Sequence, residues 1–240
     1  MKMTPQLRNL LAVYKTTLNS EEFESFEREV NRLLNHYHDL LASYRPGAER
    51  ATVTHELIEE QISLNSHIKT TCQKGCGACC HLEVEISEDD ADRLAQSILQ
   101  QGIVIDEERL QAQATRQRLD SQWAEGAIQS NRCVLLGDDN ACRNYENRPA
   151  VCRKHSVVTP VSECETLGGN PVPRLIPLNE IIISSAISQE GNQFGALPKM
   201  LAAALTRLRD VQKIHNLDFK DGAESNISPR EADPSSEKAP

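Results

Sequence analysis

Hydrophobic residues recur at steps of three and four over roughly the first 70 positions, which is the period of an amphipathic helix. The pattern predicts three helices: residues 5–18, a second that begins at an N-cap on Ser20 and ends before Arg45-Pro46-Gly47, and residues 52–68. The second helix carries an unbroken seam of large apolar groups, Phe23, Phe26, Val30, Leu33, Tyr37, Leu40 and Tyr44. Such a seam predicts helix-on-helix packing, within the chain or across a dimer.

Further along, residues 82–86 alternate between apolar and acidic side chains, which predicts a short half-buried strand. Ser87 is an N-cap for a helix that ends at Gly102, and the polar stretch 106–130 predicts a longer, largely exposed helix. An apolar segment after a cap at Asn179 predicts a buried helix, and Pro198 begins the last one.

These elements predict a mainly α fold with a compact cysteine-rich module in which short hairpins and loops hold the cysteines. We divide the chain into an N-terminal helical region (1–71), the module (72–165), a C-terminal helical region that packs on it (166–220) and a disordered tail (221–240). The tail is predicted from its Ser, Pro, Glu, Asp and Ala content, with almost no large apolar groups to bury.

Composition narrows the class of protein. The 240 residues are 39% hydrophobic with a net charge of -9, which suits one domain with appendages and argues against non-specific nucleic-acid binding. The sequence shows no apolar run of membrane-spanning length and no signal-peptide pattern, so we expect a cytoplasmic protein away from membranes. In a reducing cytosol, clustered thiols serve as metal ligands or redox groups more often than as disulfides.

The first cysteine segment is Cys72-Gln73-Lys74-Gly75-Cys76-Gly77-Ala78-Cys79-Cys80-His81, where glycines allow tight turns that aim several sulfurs at one point. In the second, Cys133 and Cys142 flank a Gly-Asp-Asp-Asn turn, so a hairpin would bring their thiols together. Arg148-Pro149 begins a helical turn that contains Cys152. Cys164 is isolated in the sequence, and a simple buried or surface thiol explains it as well as a metal ligand does. The N-terminal helices contain four histidines, which we interpret as solvated or core residues rather than as ligands.

The pattern Cys-x3-Cys-x2-Cys-Cys at 72–80, followed by Cys133, Cys142 with Tyr145, Arg148-Pro149 and Cys152-Arg153, resembles the YkgJ-type cysteine-cluster family, described as a zinc- or iron-chelating domain. The resemblance covers about residues 72–155. It implies a metal-binding set of Cys72, Cys76, Cys79, Cys80, Cys133, Cys142 and Cys152, accompanied by Tyr145, Arg148, Pro149 and Arg153. Cys164 falls outside the shared pattern and is a candidate extra ligand.

The number of thiols exceeds the four that one tetrahedral zinc or one four-iron cluster uses, so either two sites form or some cysteines serve another purpose. Only Cys76-x2-Cys79 has the spacing of a zinc knuckle. Three closely spaced cysteines, Cys72, Cys76 and Cys79, with a remote Cys152 suit an iron–sulfur cluster, which we therefore favour slightly over zinc. Arg148 is the strongest candidate for offsetting thiolate charge.

Three functions follow as hypotheses. The first is a cytoplasmic metal-binding protein whose iron–sulfur cluster or zinc is structural or redox-active. The second is an iron–sulfur-dependent protein-modifying enzyme, because flagellin lysine methylases carry a similar cysteine module. The third is a helical adaptor stapled by structural zinc, which would bind a protein partner or a second copy of itself through the N-terminal helices.

Overall fold

The computed structural model describes residues 1–118, 123, 128–165 and 169–223. Three helices open the chain: α1 (Pro5–Thr17), α2 (Ser20–Ala42) and α3 (Ala48–Leu64). The prediction of Ser20 as the N-cap of α2 is wrong, because Asn19 is the cap. The side chain of Asn19 accepts a hydrogen bond of 3.0 Å from the amide of Glu22, whose carboxylate accepts one of 3.0 Å from the amide of Asn19. Ser20 has no acidic residue three positions on, so this reciprocal pair is open only to Asn19.

Two short strands and a helix follow the first cysteine segment. Strand β1 (Glu85–Ser87) pairs antiparallel with β2 (Phe194–Ala196), so that Ile86 lies opposite Gly195. Helix α4 (Glu88–Gln101) starts from the predicted cap at Ser87 and ends at Gly102, whose φ of 62° is left-handed. The predicted strand and the predicted ends of α4 are therefore confirmed, although the strand lies slightly later in the chain.

The predicted long helix over 106–130 is wrong in its extent. Helix α5 (Glu107–Ala114) ends in a cap at Thr115, and residues 115–118 are not helical. Its buried side chains are Leu110 and Gln113, so the segment has too little apolar surface to hold a longer helix against the core. The rest of the prediction falls partly on residues 119–122 and 124–127, which lie outside the described residues.

The remaining helices are α6 (Ala150–Lys154), α7 (Ser162–Glu165), α8 (Pro177–Ile187) and α9 (Leu197–Ala223). The predicted buried helix is α8, but Asn179 is not its cap. Ile176 precedes the helix without a side-chain cap, and Pro177, whose fixed φ suits the first helical position, sets the start. The predicted tail differs in its beginning, since residues 221–223 continue α9, while 224–240 lie outside the described residues.

Helix α8 is the centre of the helical scaffold. Every residue from Asn179 to Ile187 is buried, and the helix packs against α1, α2, α3 and α6. Its face toward α1 and α2 meets Leu7, Val30 and Leu34 through Ile181, while Ile182, Ile183 and Ile187 pack on Ile58 of α3 and Ala150 of α6. The aromatic seam of α2 therefore packs within the chain, with Phe26 and Tyr37 against these clusters.

The fold is mainly helical, as predicted. Met1–Leu205 form one compact unit that includes both cysteine segments. A second unit is assigned to Thr206–Pro240, and its described part is the continuation of α9. Within the described residues, no helix combines the length and apolar content needed to cross a membrane.

Candidate metal centre

The first cysteine segment lies in the connection between α3 and β1. It is folded by local turns: the amide of Cys76 donates to the carbonyl of Gln73 and that of Cys80 to Gly77, both at 3.0 Å. Gly75 has a φ of 90°, a conformation that favours glycine. The short 3-10 helix Ala78–His81 then carries Cys79 and Cys80. The segment thus forms the tight turns that its glycines predict.

The second cysteine segment contains the predicted turn. Leu136 lies opposite Cys142 in an antiparallel bridge, and the amide of Arg143 donates a 2.8 Å hydrogen bond to the carbonyl of Leu135. Gly137 closes the turn by donating to the carbonyl of Ala141 at 2.8 Å. A Cβ on Gly137 would lie 2.6 Å from Oδ1 of Asp139, so a larger residue there would displace this side chain, which accepts a hydrogen bond of 3.1 Å from the amide of Ala141. The hairpin-like approach of the two strands around Cys142 is confirmed.

Cys152 sits in α6, the helical turn predicted after Pro149. The start of α6 is fixed by Asp90 of α4, whose carboxylate accepts a hydrogen bond of 3.1 Å from the amide of Ala150. His55 Nε2 lies 2.7 Å from the same carboxylate, and the Ser87 hydroxyl donates to it at 2.9 Å. His55 is thus a buried core histidine. The carboxylate of Asp90 joins α3, α4 and α6 close to Cys152.

A second buried carboxylate joins α3 to α4. Arg50 donates two hydrogen bonds, of 2.6 and 3.0 Å, to Asp89. The amide of Gly47 and the side chain of Asn192 also donate to this carboxylate, at 2.6 and 2.8 Å. Burial raises the pKa of Asp89 against the opposing effect of Arg50. The sequence alone does not single out Asp89 or Asp90, because Ser87-Glu88-Asp89-Asp90 has only the pattern of the capped first turn of a helix.

The two cysteine segments meet at one cavity of about 600 Å³. The amide of Cys133 donates a 2.8 Å hydrogen bond to the carbonyl of Cys80, joining the segments directly. Cys72 is exposed and the other cysteines are half-buried, and none forms a disulfide. The cavity wall includes all the cysteines of the chain: Cys72, Cys76, Cys79, Cys80, Cys133, Cys142, Cys152 and Cys164.

The thiols surround the cavity without closing on a point. Within the described part of the chain, no three His, Cys, Asp or Glu side chains are arranged as a finished metal site. Binding an ion therefore requires rotation of cysteine side chains into the cavity. The donor set itself, made of thiols, matches the preference of zinc and of iron–sulfur clusters, so the residues fit either group.

The thiols differ in how readily they ionise. A hydrogen bond from Cys80 lowers the pKa of Cys79 to about 7, with help from the nearby charge of Arg148. The same hydrogen bond, together with burial, raises the pKa of Cys80. Burial raises the pKa of Cys133 to about 11 and that of Cys152 well above its usual value. Of these four thiols, Cys79 is thus the one that most easily becomes a thiolate.

The accompanying residues of the predicted site separate into two kinds. Arg148 stacks on Tyr145, with its guanidinium 3.8 Å from the ring centroid, and both line the cavity. The charge of Arg148 also lowers the pKa of Cys142 against the larger effect of burial. Arg153 instead pairs with Glu59 at 2.8 Å and binds the carbonyl of Glu146. Its contacts in the structure are with the scaffold rather than with thiols.

The structure also places Cys164 with the others. Its helix α7 packs against the 3-10 helix Ala78–His81, and its side chain lines the cavity. The sequence signal for this placement was only the count of cysteines, because no motif spacing connects Cys164 to the rest.

Comparison with known proteins agrees with the resemblance of the sequence. Residues 71–170 match the family model CxxCxxCC, described as a "putative zinc- or iron-chelating domain". No curated protein and no solved structure matches the chain. The matched range contains both cysteine segments together with Cys164, so this part of the chain is similar to the domain that the family model describes.

Proposed function

We propose that the chain is a cytoplasmic metal-binding protein that holds an iron–sulfur cluster or zinc through its clustered cysteines. The observation that carries this proposal is the convergence of every cysteine in the sequence on one cavity. The match of residues 71–170 to a zinc- or iron-chelating family model supports it. A location in the cytoplasm is part of the proposal, since thiols stay reduced there.

The residues around the cavity prepare it for an anionic metal–thiolate group. Four thiolates on zinc, or on an oxidised four-iron cluster, leave a net negative charge that the protein must offset. Arg148 lies within electrostatic reach of Cys79 and Cys142, and Lys74 lines the same cavity. The stacking of Arg148 on Tyr145 restricts its guanidinium and favours a fixed position beside the sulfurs.

Zinc and an iron–sulfur cluster would give this site different functions. Bound zinc would cross-link the two cysteine segments, whereas a cluster would also supply one-electron transfer. The spacing of Cys72, Cys76 and Cys79 leads us to favour iron and sulfide. The helical clusters around α8 do not involve the thiols, so we expect the scaffold to fold around either group.

The test is to purify the full chain without oxygen and measure zinc, iron and acid-labile sulfide together with the visible spectrum. Iron and sulfide in equal amounts, with charge-transfer absorption that bleaches on reduction, support a redox cluster. Stoichiometric zinc without such absorption overturns the iron preference but keeps the metal-binding proposal. A chain that holds neither metal, and takes up neither when it is reduced and supplied with them, overturns the proposal itself.

The same preparation separates a structural from a redox centre. If the centre is structural, a strong chelator lowers the unfolding temperature and potentiometry detects no electron transfer. A redox centre instead shows a reversible potential in the loaded protein.

A further inference from the structure

We propose that the cysteines form two separate four-thiolate centres. The outer centre consists of Cys72, Cys76, Cys79 and Cys164, and the inner centre of Cys80, Cys133, Cys142 and Cys152. This inference rests on the proposed function and deepens it, because it assigns each thiol to a centre and gives Cys164 a place as a ligand. Each centre suits one tetrahedral zinc or one iron–sulfur cluster.

The outer group is built by the chain around Val157. The amide of Thr71 donates to the carbonyl of Val157 at 3.1 Å, and the amide of Val157 donates to the sulfur of Cys72 at 3.3 Å. The Thr71 hydroxyl also donates to the carbonyl of Thr159 at 2.5 Å. From Thr159 the chain passes directly into α7, which carries Cys164. The backbone pairing beside Cys72 therefore directs α7 to the same place.

Helix α7 completes the outer group by its packing. It lies against the 3-10 helix Ala78–His81, which carries Cys79. The charges of Cys72, Cys76 and Cys79 all act on the Cys164 thiol, which is consistent with this proximity. Cys76 in turn is influenced by Cys72 and Cys79. Four thiols from two chain segments thus form the outer group, which includes the exposed Cys72.

The inner group is joined through the second segment. The 2.8 Å hydrogen bond from the amide of Cys133 fixes the backbone of Cys80 beside it. The antiparallel bridge to Leu136 places Cys142 across the turn from Cys133. Cys152 follows from α6, and the charges of Cys133 and Cys142 act on it, as does that of Cys79 from the neighbouring group.

Adjacent Cys79 and Cys80 can serve different centres because of the helix that holds them. In a 3-10 helix with about three residues per turn, successive side chains point about 120° apart. Because the two residues are adjacent in the chain, the two centres would be neighbours. This assignment replaces Cys152 with Cys164 as the remote partner of the Cys72, Cys76 and Cys79 set.

The experiment uses the reduced, metal-free full chain titrated with zinc alone. Wild type should bind about two zinc ions, and Cys164→Ser and Cys72→Ser about one each. Cys142→Ser, from the inner group, is the matched comparison and should also bind about one. Circular dichroism of each variant reports whether the helical scaffold remains.

Alkylation at saturating zinc, followed by peptide mass spectrometry, identifies which thiols no longer bind zinc in each variant. In Cys164→Ser we expect Cys72, Cys76 and Cys79 to become reactive together while the inner thiols stay protected. In Cys142→Ser the pattern should reverse, and if that variant does not fold, Cys72→Ser and Cys164→Ser decide the question.

The failures of the two proposals are distinguishable. Wild type that binds no zinc and no iron overturns the proposed function and this inference together. Wild type that binds one zinc keeps the function and overturns the two-centre assignment. A folded Cys164→Ser that still binds as much zinc as wild type, or that exposes Cys152 instead of Cys79, also overturns the assignment.

Discussion

The backbone amide of Cys133 donates a hydrogen bond of 2.8 Å to the carbonyl oxygen of Cys80, and both residues line the same cavity. Two stretches far apart in the sequence therefore meet by main-chain pairing, before any metal is considered. Gly77 of the first segment also lies against the turn of the second segment.

Substitution of Gly77 with alanine should separate the two cysteine segments. A Cβ at this position would lie 3.2 Å from Leu136 Cδ1 and 3.3 Å from the carbonyl oxygen of Asn140. We expect Gly77→Ala to lower the free energy of unfolding by about 1–3 kcal/mol and to weaken metal uptake. Denaturant unfolding and zinc titration measure the two effects.

Gly102 provides the control for Gly77. Its φ of 62° strains an alanine by about 1 kcal/mol, but no atom lies within 4 Å of the added Cβ. Gly102→Ala should therefore lose a similar amount of stability and keep its metal. Equal loss of metal in both variants would show that general destabilisation, and not the segment contact, controls uptake.

Replacement of Arg148 with glutamine should weaken the metal site without unfolding the protein. The variant removes the charge that acts on Cys79 and Cys142, so we expect metal affinity to fall about 10–100-fold. Competition with a chromophoric chelator measures the affinity. Arg143→Gln is the matched variant, because Arg143 binds the carbonyl of Val104 at 2.9 Å; an equal loss there would refute a specific effect of Arg148.

Substitution of Asp90 with asparagine should cost about 2–4 kcal/mol of stability. The carboxylate is buried and accepts hydrogen bonds from Ser87 and Ala150 while lying 2.7 Å from His55 Nε2. Urea unfolding measures the loss. Asp39→Asn, on an exposed part of α2, should change stability by less than about 0.5 kcal/mol. A loss in Asp90→Asn no larger than this would contradict the central position of Asp90.

The stability gained from Asp90 should depend on pH. Burial acts to raise the pKa of this carboxyl, but the hydrogen bonds and charge of its partners, His55 first, outweigh burial and hold the pKa below its usual value. The folded protein therefore binds the proton less readily than the unfolded chain. The contribution is present above pH about 4 and is lost as the pH falls through the lowered pKa.

Unfolding of wild type and Asp90→Asn from pH 7 to pH 3 measures this dependence. We expect a constant difference in free energy above the usual aspartate pKa and a shrinking difference below it. A difference that grows as the pH falls would reverse the sign and exclude this account.

Periodicity predicted the helices well where one apolar face is long and regular. The three N-terminal helices, α4 and the buried α8 are all expected from spacing, and the turn between Cys133 and Cys142 from its Gly-Asp-Asp-Asn residues. The cap of α2 was misplaced by one residue because Ser20 and Asn19 are both good caps, and only Glu22 distinguishes them. Helix spacing, caps and tight turns depend on residues close together in the sequence, so most of these features can be predicted from it.

The contacts that assemble the candidate site are not local. Cys164 has no motif spacing, and its position follows from the pairing of Thr71 with Val157, which sequence alone does not reveal. Asp90 could be predicted as part of a helix cap, but its contact with Ala150 depends on how α4 and α6 pack. The assignment of thiols to two centres depends on such tertiary contacts and stays a prediction.

The first residues of the chain are connected to the cysteine module through a line of buried polar contacts. Thr4 caps α1 and donates a 3.0 Å hydrogen bond to Glu180 of α8, whose other carboxylate oxygen pairs with Lys154 at the end of α6. Deleting Thr4 would leave the buried carboxylate of Glu180 short of a donor. The other partner of this carboxylate, Lys154, lies two residues along α6 from Cys152. Shortening the protein at this end is therefore not a neutral choice when material is prepared for metal analysis.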